Sequence, residues 1–255
     1  MKIKLKVILM FFIVMLLIVA TPNYGDFVEI SEQMRNQITM VIDPGHGGMD
    51  GGAEAADGTK EKNINLKIAL KLKKEAEKYG VKVIMTRESD KGLYEEAGQS
   101  IHSKKIDDLK NRKEIIDKIK PDLTVSIHLN SYKNDELVRG AQVFFPKECQ
   151  EESICQESKL LAETVQSTLE QSIDDKKERA AMAKNDIYLF KNVNTPIILV
   201  ECGFLSNIDD EKSLINPRFQ VEMAKAIMAG VAMHYRINIQ RDTKVIDTKE
   251  QAQSL

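Results

Sequence analysis

Apolar residues recur along this chain in two rhythms. Short, nearly unbroken apolar runs at 38–42, 81–85, 123–129, 142–145 and 197–201 read as strands buried inside a sheet. Between them lie segments with apolar residues every three or four positions, the spacing of one helix face. They predict helices over 62–79, 107–119, roughly 153–171 and 217–235. The first carries Leu66, Ala69, Leu70 and Ala76 on one stripe, with Gly80 just past its end. The second is stopped by Pro121, and the last turns Phe219, Met223, Ile227 and Val231 inward. Strands separated by helices imply an α/β fold: a three-layer sandwich with a mostly parallel, twisted sheet flanked by helices. No repeat and no Ser/Gly- or Pro-rich linker divides residues 38–236, which therefore read as a single domain.

The ends break this pattern. Lys2, Lys4 and Lys6 precede an apolar run over residues 7–20, the pattern of an export signal. The run is short of the roughly 20 residues that a membrane span needs, but its small-residue cleavage site is loose. Residues 1–25 are thus expected to be a signal peptide or, uncleaved, a membrane anchor through 7–20. At the other end, 238–255 reads as a polar, disordered tail.

Composition narrows the classes. The 255 residues hold 37 Lys and Arg against 39 Asp and Glu, a formal net charge of -2 that recommends no nucleic-acid partner. Three cysteines make neither a disulfide framework nor a CxxC zinc pattern. Cys149 and Cys155 are close enough in sequence to pair in an oxidising space, while Cys202 reads as a small buried hydrophobe.

Candidate chemistry gathers at strand ends. The stretch "VIDPGHGGMDGGA" (41–53) leaves a strand, presents His46 and continues with four glycines in six positions. His128 sits near the end of "TVSIHLNS", and Glu201 ends "IILVE". In open α/β sheets ligands collect outside the carboxyl ends of strands, so these three residues are expected to converge. Two imidazoles with carboxylates suit zinc, which takes three protein ligands in a catalytic site. The third ligand is open among Asp43, Asp50, Glu54, Asp57, Glu61 and Glu201. Glu61 is attractive because the N-terminus of the 62–79 helix favours its ionised, metal-binding form.

Six segments in order, "VIDPGHGGMDGGA", "KEKNINLKIALKL", "VIMTRESD", "DLTVSIHLNS", "RGAQVFF" and "PIILVECGFLSN", resemble the signatures of zinc-dependent N-acetylmuramoyl-L-alanine amidases. The resemblance spans 38–236 and implies that His46, Glu61 and His128 bind Zn²⁺ and that Glu201 is the catalytic carboxylate. It implies hydrolysis of the amide between the muramic acid lactyl group and L-alanine of peptidoglycan stem peptides. Asn130 is expected to serve the groove or support a ligand, and Arg87 to fix a loop through a carboxylate. The segment at 173–192 departs from the family in lacking an Arg-Gly pair. No wall-binding repeat follows, and 146–184 leaves little room for a long autoinhibitory helix. That short build most resembles the germination-specific, spore-cortex branch, whose stem-peptide removal precedes muramic δ-lactam formation.

The expected location is outside the cytoplasmic membrane, in the cell wall or cortex space. Peptidoglycan is the expected substrate partner. With so little charge to hold the chain on an anionic wall, an activating or localising protein is the alternative to membrane anchoring, with 88–105 or the tail as its surface. The competing classes are a carboxypeptidase-like zinc hydrolase of the wall and a non-catalytic wall-binding protein on the same fold.

Overall fold

The computed structural model describes residues 37–95, 100–173 and 179–239. The expected signal or anchor segment and residues 240–255 of the tail lie outside the described residues. Among the described residues no helix is long and apolar enough to cross a membrane.

Six strands form one sheet: β1 (Thr39–Pro44), β2 (Lys82–Met85), β3 (Leu123–Asn130), β4 (Gln142–Pro146), β5 (Met182–Lys184) and β6 (Ile197–Phe204). Their order across the sheet is β2-β1-β3-β6-β4-β5. β2, β1, β3 and β6 run parallel, β4 is antiparallel to β6, and β5 is parallel to β4. The helices are α1 (Glu61–Lys78), α2 (Ile101–Ile119), α3 (Glu152–Ser172), α4 (Ile208–Ile215) and α5 (Pro217–Tyr235).

Strand alternation sorts the side chains into two layers. Met40, Ile42, Val125, Ile127, Val143, Ile198 and Val200 pack with α1, α3 and α5 in the larger core. The intervening positions Val41, Phe144, Ile197 and Leu199 face Ile116 of α2 and the 3₁₀ turn Tyr188–Phe190. The same alternation sets Asp43, Ser126, His128 and Glu201 on the α2 side, since each lies an even number of residues from that row.

Some bounds and faces differ from the sequence reading. The buried stripe of α1 is Glu61, Ile64, Asn65, Ile68, Ala69, Leu72 and Ala76, so Leu66 and Leu70 only flank it. The two polar residues heading that stripe hide its phase from a purely apolar count. α2 begins six residues before the expected 107, where the Ser100 hydroxyl caps it by accepting from Ser103 N–H at 3.2 Å. It therefore absorbs the end of the charged 88–105 stretch, of which 96–99 lie outside the described residues. β5, α4 and the 3₁₀ turn carry no expectation, being too short for a periodic signal. α5 matches its expected span, with Asn216 capping Arg218 N–H and Pro217 at the first turn.

Candidate metal centre

The carboxyl ends of parallel β1, β3 and β6 bring His46, His128 and Glu201 to one edge. His128 and Glu201 are direct register partners across β3 and β6. α1 starts beside them, and its first residue is Glu61. One ligand atom each from His46, Glu61 and His128 lies within 4.8 Å of the others. Glu61 Oε2 is 3.2 Å from His46 Nε2, and Glu61 Oε1 is 3.1 Å from His128 Nδ1.

Glu61 and His46 are held from behind. Glu61 is 3 % exposed and accepts backbone N–H bonds from Ala53 (2.7 Å) and Leu129 (3.0 Å) and the Asn65 amide (3.1 Å). Burial opposes its charge, but the His128 and His46 imidazoles hold its carboxyl far below the ordinary range. His46 Nδ1 donates to Asp50 Oδ2 at 2.9 Å, which turns Nε2 towards Glu61, and Lys105 holds the other Asp50 oxygen at 2.8 Å. Burial alone would lower the His46 pKa; Asp50 and Glu61 raise it to about 9. The cluster thus attracts positive charge, as a cation site must.

The glycine-rich loop has a steric reason. A Cβ at Gly45 would collide with the His128 ring. At Gly52, where φ is 71°, a Cβ would lie 2.5 Å from Glu61 Oε2 and 2.7 Å from His46 Cδ2. His46 itself sits at φ 60°, a left-handed conformation that the surroundings must hold in place. Two arginines do so. Arg112 Nη2 donates to His46 O at 2.6 Å and Nη1 to Pro44 O at 2.8 Å. Arg87 donates to Pro44 O and Gly45 O, each at 2.9 Å.

Arg87 therefore fixes the loop through carbonyls rather than through the expected carboxylate. The backbone turn leaves its C=O groups facing inward, and they need donors. Arg112, 1 % exposed, also pairs with Asp43 at 2.7 Å and Asp108 at 2.6 Å. Burial would raise the Asp43 pKa, but Arg112, with hydrogen bonds from Thr86 and Ser126, lowers it to about 2.

Glu201 lines the same site without joining the cluster of three. Burial pushes its carboxyl up to about 7 against the pull of His128, and Oε2 has no hydrogen-bond partner. A carboxylate poised near neutrality and free on one oxygen is equipped to take up a proton. It borders a cavity of about 330 Å³ whose lining includes His46, His128, Lys184, Tyr188, Phe144 and Leu199.

The other candidate ligands stand apart from the three. Asp43 is consumed by Arg112, Asp50 orients His46, Glu54 is exposed, and Asp57 accepts from Thr59 N–H at 2.8 Å. Asn130 follows a register shift in β3, and its Oδ1 accepts from Ser131 N–H at 2.8 Å; Asn65, not Asn130, supports a site residue. The bulge re-aims the strand after His128 and breaks the simple two-residue alternation. Asn65, Asp50 and Arg112 carried no functional expectation beyond Asp50 as a ligand candidate. For Asn65 the usable signal is its spacing of four from Glu61 on α1. Cys149 and Cys155 are paired, with Cα atoms 5.6 Å apart, and Cys202 is buried and free.

Two imidazoles and a buried, ionised carboxylate facing an open cavity fit a catalytic zinc ion, with Asp50 completing a carboxylate–histidine support. Residues 40–233 match the family model described as N-acetylmuramoyl-L-alanine amidase. The germination-specific N-acetylmuramoyl-L-alanine amidase of Bacillus subtilis is 32% identical over 196 residues, covering 77% of this chain and 79% of the relative. Among solved structures, the CwlD amidase of Clostridioides difficile in complex with the GerS lipoprotein is 40% identical. It superposes with a TM-score of 0.74, covering 78% of this chain and 99% of the other. An N-acetylmuramoyl-L-alanine amidase from Clostridium difficile 630 matches at 32% identity and TM-score 0.66, covering 79% and 98%.

Proposed function

The chain belongs to the N-acetylmuramoyl-L-alanine amidase family, and on that premise we propose that it is a zinc hydrolase of peptidoglycan. In this reading His46, Glu61 and His128 hold the metal and Glu201 is the catalytic carboxylate. Residues 38–236 form the catalytic domain, residues 1–25 direct export or anchoring, and 238–255 form a tail. The observation that carries the reading is the convergence of two imidazoles and Glu61 beside a partner-free Glu201 oxygen.

His46, Glu61 and His128 would hold the zinc ion, which would supply Lewis acidity towards the amide carbonyl and towards water at the site. The protein's groups do the rest. Asp50 keeps Nε2 of His46 aimed at the centre. The Ala53 and Leu129 amides with Asn65 keep Glu61 immobile. Glu201 takes the proton of the attacking water and returns one to the departing alanine nitrogen, its near-neutral pKa suiting both transfers.

The likeness to a germination-specific relative supports a role in spore cortex maturation. Hydrolysis there frees the lactyl carboxyl from which a muramic δ-lactam is closed. The site of action is then the wall or cortex space. Since one relative forms a complex with a lipoprotein, a lipid-anchored protein partner is the proposed means of localisation, beside anchoring through 7–20.

The test is product analysis. Purified chain loaded with zinc should release stem peptides bearing a free L-alanine amine from peptidoglycan, identified by mass spectrometry. Cleavage between amino acids would instead favour a carboxypeptidase, and zinc retention without any cleavage a binding protein.

A further inference from the structure

We infer that the cavity beside the metal centre receives the peptide half of the substrate, and that Lys184 is its specificity residue. Lys184 would pair with a carboxylate carried one residue beyond the scissile amide; this rests on the amidase reading above.

Three cations line the cavity, and two are engaged. Arg112 is held by Asp43 and Asp108, and Lys105 Nζ lies 2.8 Å from Asp50 Oδ1. Lys184 is different. Among the described residues no hydrogen bond or ion pair holds its ammonium, which lies 4.5 Å from the centroid of the Phe144 ring and feels the Glu201 carboxylate only as a longer-range Coulombic attraction. An aromatic face repays only part of an ammonium's lost hydration, so the group remains available to an anion.

The sheet fixes where that anion would sit. Lys184 is opposite Pro146 on β4, Met182 is opposite Phe144, and Phe144 is opposite Leu199 on β6. Lys184, Phe144, Leu199 and Glu201 therefore share one face of the sheet and one cavity. β5 is two strands from β6, a backbone separation of about 10 Å, which a lysine side chain shortens by several ångströms.

The two halves of the substrate differ in charge. The acyl side is an N-acetylated sugar with a lactyl ether, and it is neutral. On the amine side L-alanine is followed by γ-linked D-glutamate, whose α-carboxylate stands free unless amidated to isoglutamine. Along an extended chain that carboxylate lies roughly 7 Å from the scissile carbon. A cation set on an apolar floor of Phe144 and Leu199 therefore selects the peptide side, and amidation of the glutamate removes its partner.

The experiment uses the full chain with zinc and two synthetic substrates, N-acetylmuramoyl-L-alanyl-γ-D-glutamyl-L-lysine and its isoglutamine counterpart. The wild-type kcat/KM should favour the free acid by at least about tenfold, the scale of a hydrogen bond between charged groups. Lys184→Met should bring the acid-to-amide ratio close to one, and Lys184→Arg should retain most of it. The metal content and melting temperature of both variants check that they are folded. A wild-type ratio near one overturns the role of Lys184 without any variant being needed. So does a Lys184→Met variant that slows both substrates equally, the result expected of a general electrostatic or structural role. Failure of the wild type to cleave the lactyl–alanine bond in either substrate refutes the amidase reading, and this inference with it.

Discussion

Replacing Arg112 by methionine tests whether one buried cation holds the turn that presents His46. In the native protein Asp43 is 1 % exposed, and its pKa falls from 3.8 to about 2 because Arg112 outweighs the penalty of burial. At about 1.36 kcal/mol per unit, this shift corresponds to about 2.5 kcal/mol. A depressed carboxyl contributes that stability above its unfolded pKa and loses it as pH falls from about 4 towards 2. In Arg112→Met the carboxylate keeps Thr86 and Ser126 but loses its ion-pair partner, leaving only the longer-range attraction of Arg87. Removing one partner of a buried pair costs about 3–5 kcal/mol, so a deficit of that size is expected at pH 7. The Asp43 pKa is then raised by burial, so the carboxyl takes up a proton on mild acidification and the deficit shrinks at pH 5. Urea unfolding at the two pH values, with a chelator in every sample, measures this free of metal linkage. The double variant Arg112→Met/Asp43→Asn removes the Asp43 charge and leaves only Asp108 without its partner, so it should recover at least about half of the loss at pH 7. A deficit below about 1 kcal/mol, an equal deficit at both pH values, or no recovery in the double variant would refute the reasoning.

Three further outcomes follow from the site. Glu201→Gln should keep its metal while turnover falls by about 10² or more; metal analysis beside peptide-release kinetics checks this, and loss of the metal would move Glu201 among the ligands. Asp50→Asn should weaken metal affinity by about 10–100-fold through the freed His46 ring, read by competition with a chromophoric chelator. Unaltered affinity would reject the orienting role. Gly52→Ala forces a Cβ at φ 71° to within 2.5 Å of Glu61 Oε2, so both metal content and melting temperature should fall. The strain alone is worth at least about 1 kcal/mol, and native-like melting would show that the loop adapts.

Where burial follows a regular period, the chain is legible without coordinates. Helix α5 could be placed because Met223, Ile227 and Val231 recur at helical spacing and all are buried. The buried strands were visible as apolar runs, and once they were known to be parallel, His46, His128 and Glu201 had to gather at one edge. Residue chemistry then limited the metal to one that accepts imidazole and carboxylate. Residue spacing left six carboxylates open; the family resemblance singled out Glu61 and Glu201, and only the tertiary structure showed what the others are bound to. Asp43 is taken by a buried arginine, Asp50 stands behind His46, and only Glu61 stands with both histidines. Arg112 was invisible because the buried stripe of α2 is Asp108, Arg112 and Ile116, so its inward face is charged. A hydrophobic pattern cannot report a side chain buried by ion pairing, since its partners lie as far as 69 residues away in the sequence. The left-handed turn at His46 was hidden for the same reason. It is held by guanidinium groups from α2 and from the segment after β2, and which donors reach its carbonyls depends on how those elements pack.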